Sequence, residues 1–331
     1  MSSPLCSLII LSVFLCSACD DGSSSNDRDA AGAVDSSSAD LPATVKDGAT
    51  SERATPDQAA TDHATSKPDQ IHLPPGGPKA LPQPTKPCPK IVEGQVTFLG
   101  VTVRVWVGNQ PVTKKGPLVF YWHGTGTNAM EAVFGLGQKN IDAIKAQGGM
   151  VAAPKGPTGL TGAQTGGVVW RAGDYALADE ILACAIQQVG IDPIHIHSMG
   201  MSAGGLHTAQ MSYTRSGYLA SVTTFSGGLI PILPPPPSQD PANKLPAMIM
   251  HGGDNDTLGG FSFKASSERY LKDLTDRGQF AFICDHGNGH WLPPGGGDAA
   301  WRLFQDHPFG TSPSPYKAGL PSGIPTYCTK P

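Results

Sequence analysis

A serine between two glycines is the chemically most informative feature of the sequence, at residues 200–204, Gly-Met-Ser-Ala-Gly. The β-branched run at 193–198 predicts a buried strand before it, and the Ala-, Met- and Leu-rich run at 203–213 predicts a helix after it. Glycine at both flanks permits a sharp strand-to-helix turn that holds a serine hydroxyl away from the chain. This arrangement is suited to nucleophilic attack on a carbonyl carbon, and we predict Ser202 to be the nucleophile.

A nucleophilic serine needs a base, and two histidines lie on one predicted loop. The strand-like run 279–284 is followed at 285–291 by Asp-His-Gly-Asn-Gly-His-Trp, which contains His286 and His290. The glycines before His290 suit a tight, exposed loop at the carboxyl end of a strand, where parallel sheets place their chemistry. We therefore favour His290 as the base, with His286 as the competitor.

The third group is a carboxylate that orients the base, expected between the serine and the histidine in chain order. A strand-like run at 246–250 precedes His-Gly-Gly-Asp-Asn-Asp at 251–256, which contains Asp254 and Asp256. Either aspartate could instead close an Asx turn on its own backbone. The spacing does not choose between them.

A glycine-rich turn, His-Gly-Thr-Gly-Thr-Asn at 123–128, follows the strand-like run 116–122. A backbone N–H on such a turn can stabilise the oxyanion of an acyl-transfer transition state, together with the N–H that follows the nucleophile. We predict Thr125 and Ala203 to supply these two donors. His123 is expected to brace the turn with its ring.

Taken together, these motifs resemble the polyhydroxybutyrate depolymerase and feruloyl or acetylxylan esterase group of secreted α/β-hydrolases. The resemblance spans about 92–307 and comprises the motifs at 123–125, 200–204, 251–252 with the following aspartate, and 289–290. It implies an α/β-hydrolase fold and a serine carboxylic-ester hydrolase without metal or cofactor. The family's usual acid position holds Asn255 here, so Asp256, followed by Thr257, is the better match, and Asp254 stays open.

The resemblance implies an ester substrate, possibly polymeric: a polyester, or a plant-polysaccharide ester such as a feruloyl or acetyl ester. Trp291 and Trp170 are candidates for stacking on an aromatic acyl group or a sugar, although rim or core packing is an equally good interpretation. An acyltransferase on the same fold and a non-catalytic binding module are the alternatives. His195, His197 and His207 are expected to have structural roles.

The elements that must position these residues alternate between strand and helix. Strands are predicted at 92–98, 101–107, 117–122, 149–153, 193–198, 221–225, 246–250 and 279–284, and helices within 129–147, 174–188, 203–213, 262–277 and 298–306. This pattern predicts an α/β fold with a mainly parallel sheet covered by helices on both faces. The glycine- and threonine-rich loop at 156–167 and a short Pro-rich lid segment at 231–241 are expected to shape access to the site.

The amino-terminal region divides into two predicted segments before the domain. The apolar run at 8–15 predicts a signal peptide over 1–19, and small residues before Cys19 resemble a bacterial lipoprotein signal in which Cys19 is lipidated. Residues 20–87 are rich in Ser, Asp, Ala and Pro and predict a disordered tether, followed by a catalytic domain at 88–331. We expect a lipid-anchored extracytoplasmic protein, or otherwise a secreted one.

Net charge and cysteine content further limit the possible binding partners and the cellular compartment. The net charge is −4 without a Lys/Arg cluster, which argues against nucleic-acid binding, and we expect a monomer. The cysteines of the predicted domain, at 88, 184, 284 and 328, lack zinc-site spacing. Their even number in an exported chain favours two disulfides, with Cys88 joined to Cys184 and Cys284 to Cys328 as the favoured pairing.

Overall fold

The structure of the protein is a computed structural model, which describes residues 76–109, 111–157, 170–230 and 233–331. The expected signal peptide with Cys19, the tether as far as residue 75, positions 158–167 of the glycine- and threonine-rich loop and positions 231–232 of the Pro-rich segment lie outside the described residues. Among the helices in the described ranges, none has the length and apolar character needed to cross a membrane.

The strands of the described ranges agree closely with the predicted pattern. They are β1 Gly94–Phe98, β2 Val101–Val107, β3 Gly116–Trp122, β4 Met150–Pro154, β5 Ile191–Met201, β6 Ser221–Phe225, β7 Ala247–His251, β8 Thr257–Leu258, β9 Phe261–Ser262, β10 Ala281–Asp285 and β11 Cys328–Thr329. The sequence does not indicate β8, β9 and β11, because two residues are too few to show the period-2 alternation of a strand.

The helices of the described ranges also follow the predicted alternation with one difference. They are α1 Gln138–Ala146, α2 Ala172–Gln188, α3 Ala203–Thr214, α4 Phe263–Asp276 and α5 Gly296–Asp306. In place of one helix within 129–147, a π-helical turn at Val133–Gly137 runs into α1. Gly137 separates the two because its φ of 93° is not helical.

The central sheet has nine strands in the order β1-β2-β4-β3-β5-β6-β7-β10-β11. Pairing is parallel from β4 through β3, β5, β6 and β7 to β10, and antiparallel at the two edges. Every residue of the central strand β3 is buried, as expected for a parallel strand covered on both faces. The predicted α/β fold with a mainly parallel sheet is confirmed.

Helices cover both faces of this sheet. Alternate residues of β3 point to opposite faces, so that Leu118 and Phe120 pack with α2, α3 and α4, whereas Val119 and Tyr121 pack with α1 and α5. The carboxyl ends of the parallel strands therefore meet at one edge of a sheet that is rigidly packed on both sides. The candidate site lies at this edge.

Two disulfides join distant parts of the domain. One links Cys88 to Cys184 of α2, and the other links Cys284 of β10 to Cys328 of β11. This is the pairing favoured from the sequence. The second bridge holds the carboxyl-terminal segment beside the strand that leads to the His290 loop.

The domain begins earlier than residue 88. Leu81 packs against the hydrophobic core, and the backbone N–H and hydroxyl of Thr85 each donate to one oxygen of the Glu180 carboxylate at 2.7 Å. The N–H of Lys86 donates to the other oxygen at 3.1 Å. Since Glu180 of α2 is buried, its carboxylate requires such donors, and residues expected to belong to the tether supply them.

The described part of the Pro-rich segment, 233–241, connects β6 to β7 along the helices. The guanidinium of Arg269 on α4 donates to the Leu233 carbonyl at 2.7 Å, and the N–H of Gln239 donates to the Tyr213 carbonyl near the end of α3 at 2.9 Å. Tyr213 lies eleven residues beyond Ser202, which corresponds to about 16 Å along a helix. This part of the segment therefore belongs to the crossover connection between β6 and β7.

Candidate active site

Ser202 lies at the sharp turn between β5 and α3, where the sequence predicts the nucleophile. Its backbone has φ 55° and ψ −119°, a conformation that is strained for any residue with a side chain. A Cβ at Gly200 or Gly204 would collide with the carbonyl oxygen of Trp122 on the neighbouring strand β3. The two glycines are thus required for close packing of the turn against β3. The turn is further held by the Ser202 N–H, which donates to the Phe225 carbonyl at 2.9 Å.

His290 lies on the loop after β10 and bridges Ser202 and Asp256. Its Nε2 is 2.9 Å from Ser202 Oγ, and its Nδ1 is 2.7 Å from Asp256 Oδ1. The imidazole also stacks on the ring of Phe263, the first residue of α4, with 4.3 Å between ring centroids. The ring therefore has a hydrogen-bond partner at each nitrogen and a flat contact on one face.

The two candidate aspartates occupy different environments. Asp256 is fully buried, and its second oxygen accepts the N–H of Gly252 at 2.9 Å. The Asp254 side chain is 89% exposed and forms an ion pair with Lys264 at 2.7 Å, which lowers the pKa of Asp254. The structure brings Asp256 to His290 and leaves Asp254 at the surface.

His286, the competing histidine, is directed elsewhere. Its Nδ1 accepts the N–H of Asn288 at 3.4 Å, and its ring meets Tyr327 edge-on with 6.2 Å between centroids. Burial lowers its pKa. The structure thus brings His290, and not His286, to Ser202.

Ala203 directly follows Ser202, and Gly124, the residue before Thr125, lies beside the serine. Ala203 is the first residue of α3, so its N–H has no partner within the helix and lies at the positive end of the helix dipole. Thr125 follows Gly124, and a Cβ built on Gly124 would lie 3.3 Å from the Cβ of Ser202. The glycine-rich turn after β3 therefore passes directly beside the serine.

The comparisons with known proteins find similarity of structure. No protein-family profile matches the chain, and no curated protein matches its sequence. Native pOPH superposes with a TM-score of 0.58 at 16% identity, covering 76% of this chain and 96% of that chain. A serine-to-alanine variant of pOPH in complex with pNPB gives a TM-score of 0.57 at 15% identity, covering 75% and 95%. A Bacillus cereus carboxylesterase gives 0.44 at 18% identity, covering 62% and 93%.

This chain itself has antiparallel first strands, a parallel centre and a serine turn after β5. The fold is that of the α/β-hydrolases. At these identities the likeness concerns the fold alone, so the chemistry of this protein is inferred from its own side chains.

The two tryptophans predicted to contact substrate have different positions in the structure. Trp291 is 71% exposed and directly follows His290. Trp170 is half-buried, its indole N–H donates to the His123 carbonyl at 2.8 Å, and its ring meets Trp122 edge-on at 5.0 Å. Trp170 therefore supports the glycine-rich turn, whereas Trp291 presents an open ring beside the candidate base.

His123, His197 and His207 lie in three different surroundings. The two ring nitrogens of His123 face the carbonyl oxygens of Gly124 at 2.8 Å and Lys155 at 3.1 Å, which braces the turn. The buried His197 bonds to the Ser221 hydroxyl at 2.9 Å. His207 is buried, and burial lowers its pKa to about 3.

The sequence gives no signal for one residue of the site, Glu131. Its carboxylate lies against the glycine-rich turn and accepts the N–H of Gly124 at 3.2 Å and the hydroxyl of Thr127 at 2.6 Å. A single glutamate after a loop resembles any surface carboxylate, and only the folded turn brings the donors to it. Among the described residues, no group of three or more His, Cys, Asp or Glu side chains is arranged to hold a metal ion.

Proposed function

We propose that this α/β-hydrolase is a serine hydrolase of carboxylic esters, with Ser202 as nucleophile, His290 as general base and acid, and Asp256 as the group that orients His290. The observation that carries the proposal is the continuous hydrogen-bonded series from Asp256 through His290 to Ser202, with distances of 2.7 and 2.9 Å. The series ends at a strained turn that presents the serine hydroxyl.

In acylation, Nε2 of His290 takes the hydroxyl proton while Oγ of Ser202 forms a bond to the ester carbonyl carbon. The carbonyl oxygen becomes negative and is stabilised by the N–H groups proposed as its donors, those of Thr125 and Ala203. The bond to the alcohol oxygen then breaks, His290 gives its proton to that oxygen, and the alcohol leaves an acyl group on Ser202.

Deacylation repeats the same proton transfers with water as the nucleophile. His290 takes a proton from a water molecule while the water oxygen attacks the acyl carbon. The proton passes to Ser202 Oγ when the bond between Oγ and the acyl carbon breaks. The products are the carboxylic acid and the free enzyme. Capture of the acyl group by an alcohol would instead make the protein an acyltransferase.

In this mechanism, Asp256 determines which nitrogen of His290 accepts the serine proton. Its carboxylate accepts the Nδ1 proton of His290, which leaves a lone pair on Nε2 to face Ser202. The Gly252 N–H holds the second carboxylate oxygen at 2.9 Å and thereby fixes the orientation of the acid. When His290 is protonated during the reaction, the neighbouring carboxylate stabilises the imidazolium.

We propose a polyester or a plant-polysaccharide ester as the substrate. The support comes from the motif resemblance and from the exposed ring of Trp291 beside His290, which could stack on a feruloyl group or a sugar. A panel of methyl ferulate, acetylated xylan and hydroxybutyrate oligomers, compared by kcat/KM, tests the choice. A spread of less than about tenfold would indicate a generalist esterase.

We also propose that the protein acts outside the cytoplasm. Two disulfides in one domain favour an oxidising compartment, and the leader sequence ending at Cys19 favours a lipid anchor. The Cys19→Ala variant should leave the detergent phase in a partitioning assay, whereas the unaltered protein should remain there. Equal release of both proteins into the medium would refute the anchor.

The test of the catalytic proposal is Ser202→Ala. We expect kcat for p-nitrophenyl butyrate, chosen because a pOPH variant forms a complex with pNPB, to fall by several orders of magnitude while the folded state is retained. A fluorophosphonate probe should label the unaltered protein and not the variant. Turnover by the variant at the original rate would remove Ser202 from the mechanism, and failure of the unaltered protein to react would favour a binding module.

A further inference from the structure

We propose that Glu131 is a positioning residue that fixes the glycine-rich turn 123–127 against Ser202 and so sets the direction of the Thr125 N–H. This inference rests on the proposed serine hydrolase function. Glu131 lies outside the Ser202–His290–Asp256 series. Several hydrogen-bond donors converge on its carboxylate.

Three different groups donate to Glu131. The Gly124 N–H is shared between the two carboxylate oxygens at 3.2 Å each, and the Thr127 hydroxyl donates to Oε2 at 2.6 Å. The buried hydroxyl of Tyr121, on β3, donates to Oε1 at 3.1 Å. The carboxylate thus ties both ends of the turn to the strand from which the turn emerges. Hydrogen bonds to a charged acceptor are stronger than those between neutral groups.

Tyr121 acts only as a donor in this arrangement. Burial raises the pKa of its hydroxyl well above the usual value, and the neighbouring Glu131 charge raises it further. The hydroxyl also lies against Gly135 of the π-helical turn, where a Cβ would overlap it. Tyr121 is therefore held in the packed core, and its hydroxyl gives the carboxylate a fixed partner.

Gly124 contacts both the carboxylate and the nucleophile. A Cβ built on it would be 3.3 Å from Ser202 Cβ and 3.5 Å from Glu131 Oε2. Ser202 and the Glu131 carboxylate therefore both lie against this glycine. A shift of the turn away from Glu131 changes its distance to Ser202 directly.

The Gly124 carbonyl fixes the neighbouring N–H group. It accepts the Thr127 N–H at 3.2 Å and lies 2.9 Å from the Thr127 hydroxyl that Glu131 holds. In a planar trans peptide, the Gly124 carbonyl and the Thr125 N–H point in opposite directions. Because the Gly124 carbonyl is held towards Thr127, the Thr125 N–H points to the opposite side of the peptide.

The experiment compares Glu131→Ala with Glu131→Gln. Activity is expressed as kcat per serine titrated with a fluorophosphonate, so that loss of folded protein does not count as loss of activity. For Glu131→Ala we expect kcat to fall about 100-fold with KM changed less than about threefold, because small displacements of a transition-state donor have effects of this size. Glu131→Gln should retain kcat within about fivefold, since its amide oxygen still accepts and its NH2 group can donate to the Thr127 hydroxyl.

The matched control is Asp142→Ala, which removes an exposed carboxylate of α1 that pairs with Gln138. It should leave kcat unchanged. A Glu131→Ala enzyme with unchanged kcat per titrated site, beside an inactive Ser202→Ala, would overturn the inference and leave the proposed function intact. An active Ser202→Ala would overturn the proposed function itself. If Glu131→Ala does not fold, Thr127→Val decides: about a tenfold fall in kcat supports the inference, and no fall overturns it.

Discussion

Replacing Asp256 by asparagine changes one atom of the site and, in the proposed mechanism, reverses the tautomer of His290. The asparagine oxygen can still accept the Gly252 N–H, which now bonds to Oδ2 at 2.9 Å. Its NH2 group then faces Nδ1 of His290, which lies 2.7 Å from Oδ1 in the unaltered protein. Since an NH2 group donates, Nδ1 must accept and the ring proton moves to Nε2. Nε2 then has no lone pair with which to take the Ser202 proton.

The size of the loss follows from this blocked proton transfer. The same change in a Ser-His-Asp enzyme of the chymotrypsin type lowers kcat by about 10⁴, or about 5.4 kcal/mol at about 1.36 kcal/mol for each factor of ten. We expect a fall of this order for Asp256→Asn with p-nitrophenyl butyrate, with KM nearly unchanged. The variant should still fold, because the substitution preserves the shape of the side chain.

Asp254→Asn provides the matched control, since Asp254 lies two positions earlier on the same loop. Its carboxylate is exposed and pairs with Lys264, so we expect kcat within about twofold of the unaltered enzyme. Both variants are compared per titrated serine. A value for Asp256→Asn within about tenfold of the unaltered enzyme, or a larger loss for Asp254→Asn, would refute the assignment of Asp256 as the orienting acid.

Two further predictions concern stability. The Cys284–Cys328 bridge closes a separation of 44 residues, so the double Cys→Ser variant should lose up to about 4 kcal/mol of unfolding free energy in urea, and equal stability would contradict a formed bridge. Burial lowers the pKa of His207 from the usual 6.5 to about 3. Between these pH values the unfolded chain binds more protons than the folded protein. The free energy of unfolding therefore falls as the pH drops from about 6.5 towards 3. His207→Phe should reduce this slope by up to about 1.4 kcal/mol per pH unit, measured by urea unfolding at pH 6 and pH 4; an unchanged slope would contradict a neutral buried ring.

The sequence predicts the parts of the fold that repeat a local pattern. The strand at Ser221–Phe225 has the predicted bounds, and the other core strands differ by a few residues at most at their ends, apart from β5, which extends beyond the predicted 193–198 at both ends. Apolar runs bounded by glycine and proline carry this information locally. Ser202 could also be predicted from the local sequence, because its flanking glycines are required by contacts that any turn of this kind makes with the next strand.

The features that could not be predicted from the sequence depend on contacts between residues that are far apart in the chain. Asp254 and Asp256 are equivalent by spacing, and only the closing of the loop against the Gly252 N–H buries Asp256. The Pro-rich segment resembles a lid in sequence, yet its described residues follow α3 and α4 because Arg269 and Tyr213 bind its backbone. Tertiary hydrogen bonds decided each of these outcomes.

The arrangement of charge around Ser202 explains why two carboxylates can serve a reaction that creates negative charge. Asp256 lies beyond His290, where its charge acts on the imidazolium and not on the oxyanion. Glu131 lies against the glycine-rich turn and receives three donors, which offset its field at the serine. The helix α3 directs its amino-terminal N–H groups and its dipole towards the serine. In the proposed mechanism the oxyanion therefore forms beside these positive dipoles, and the two carboxylates act by fixing the groups that surround it.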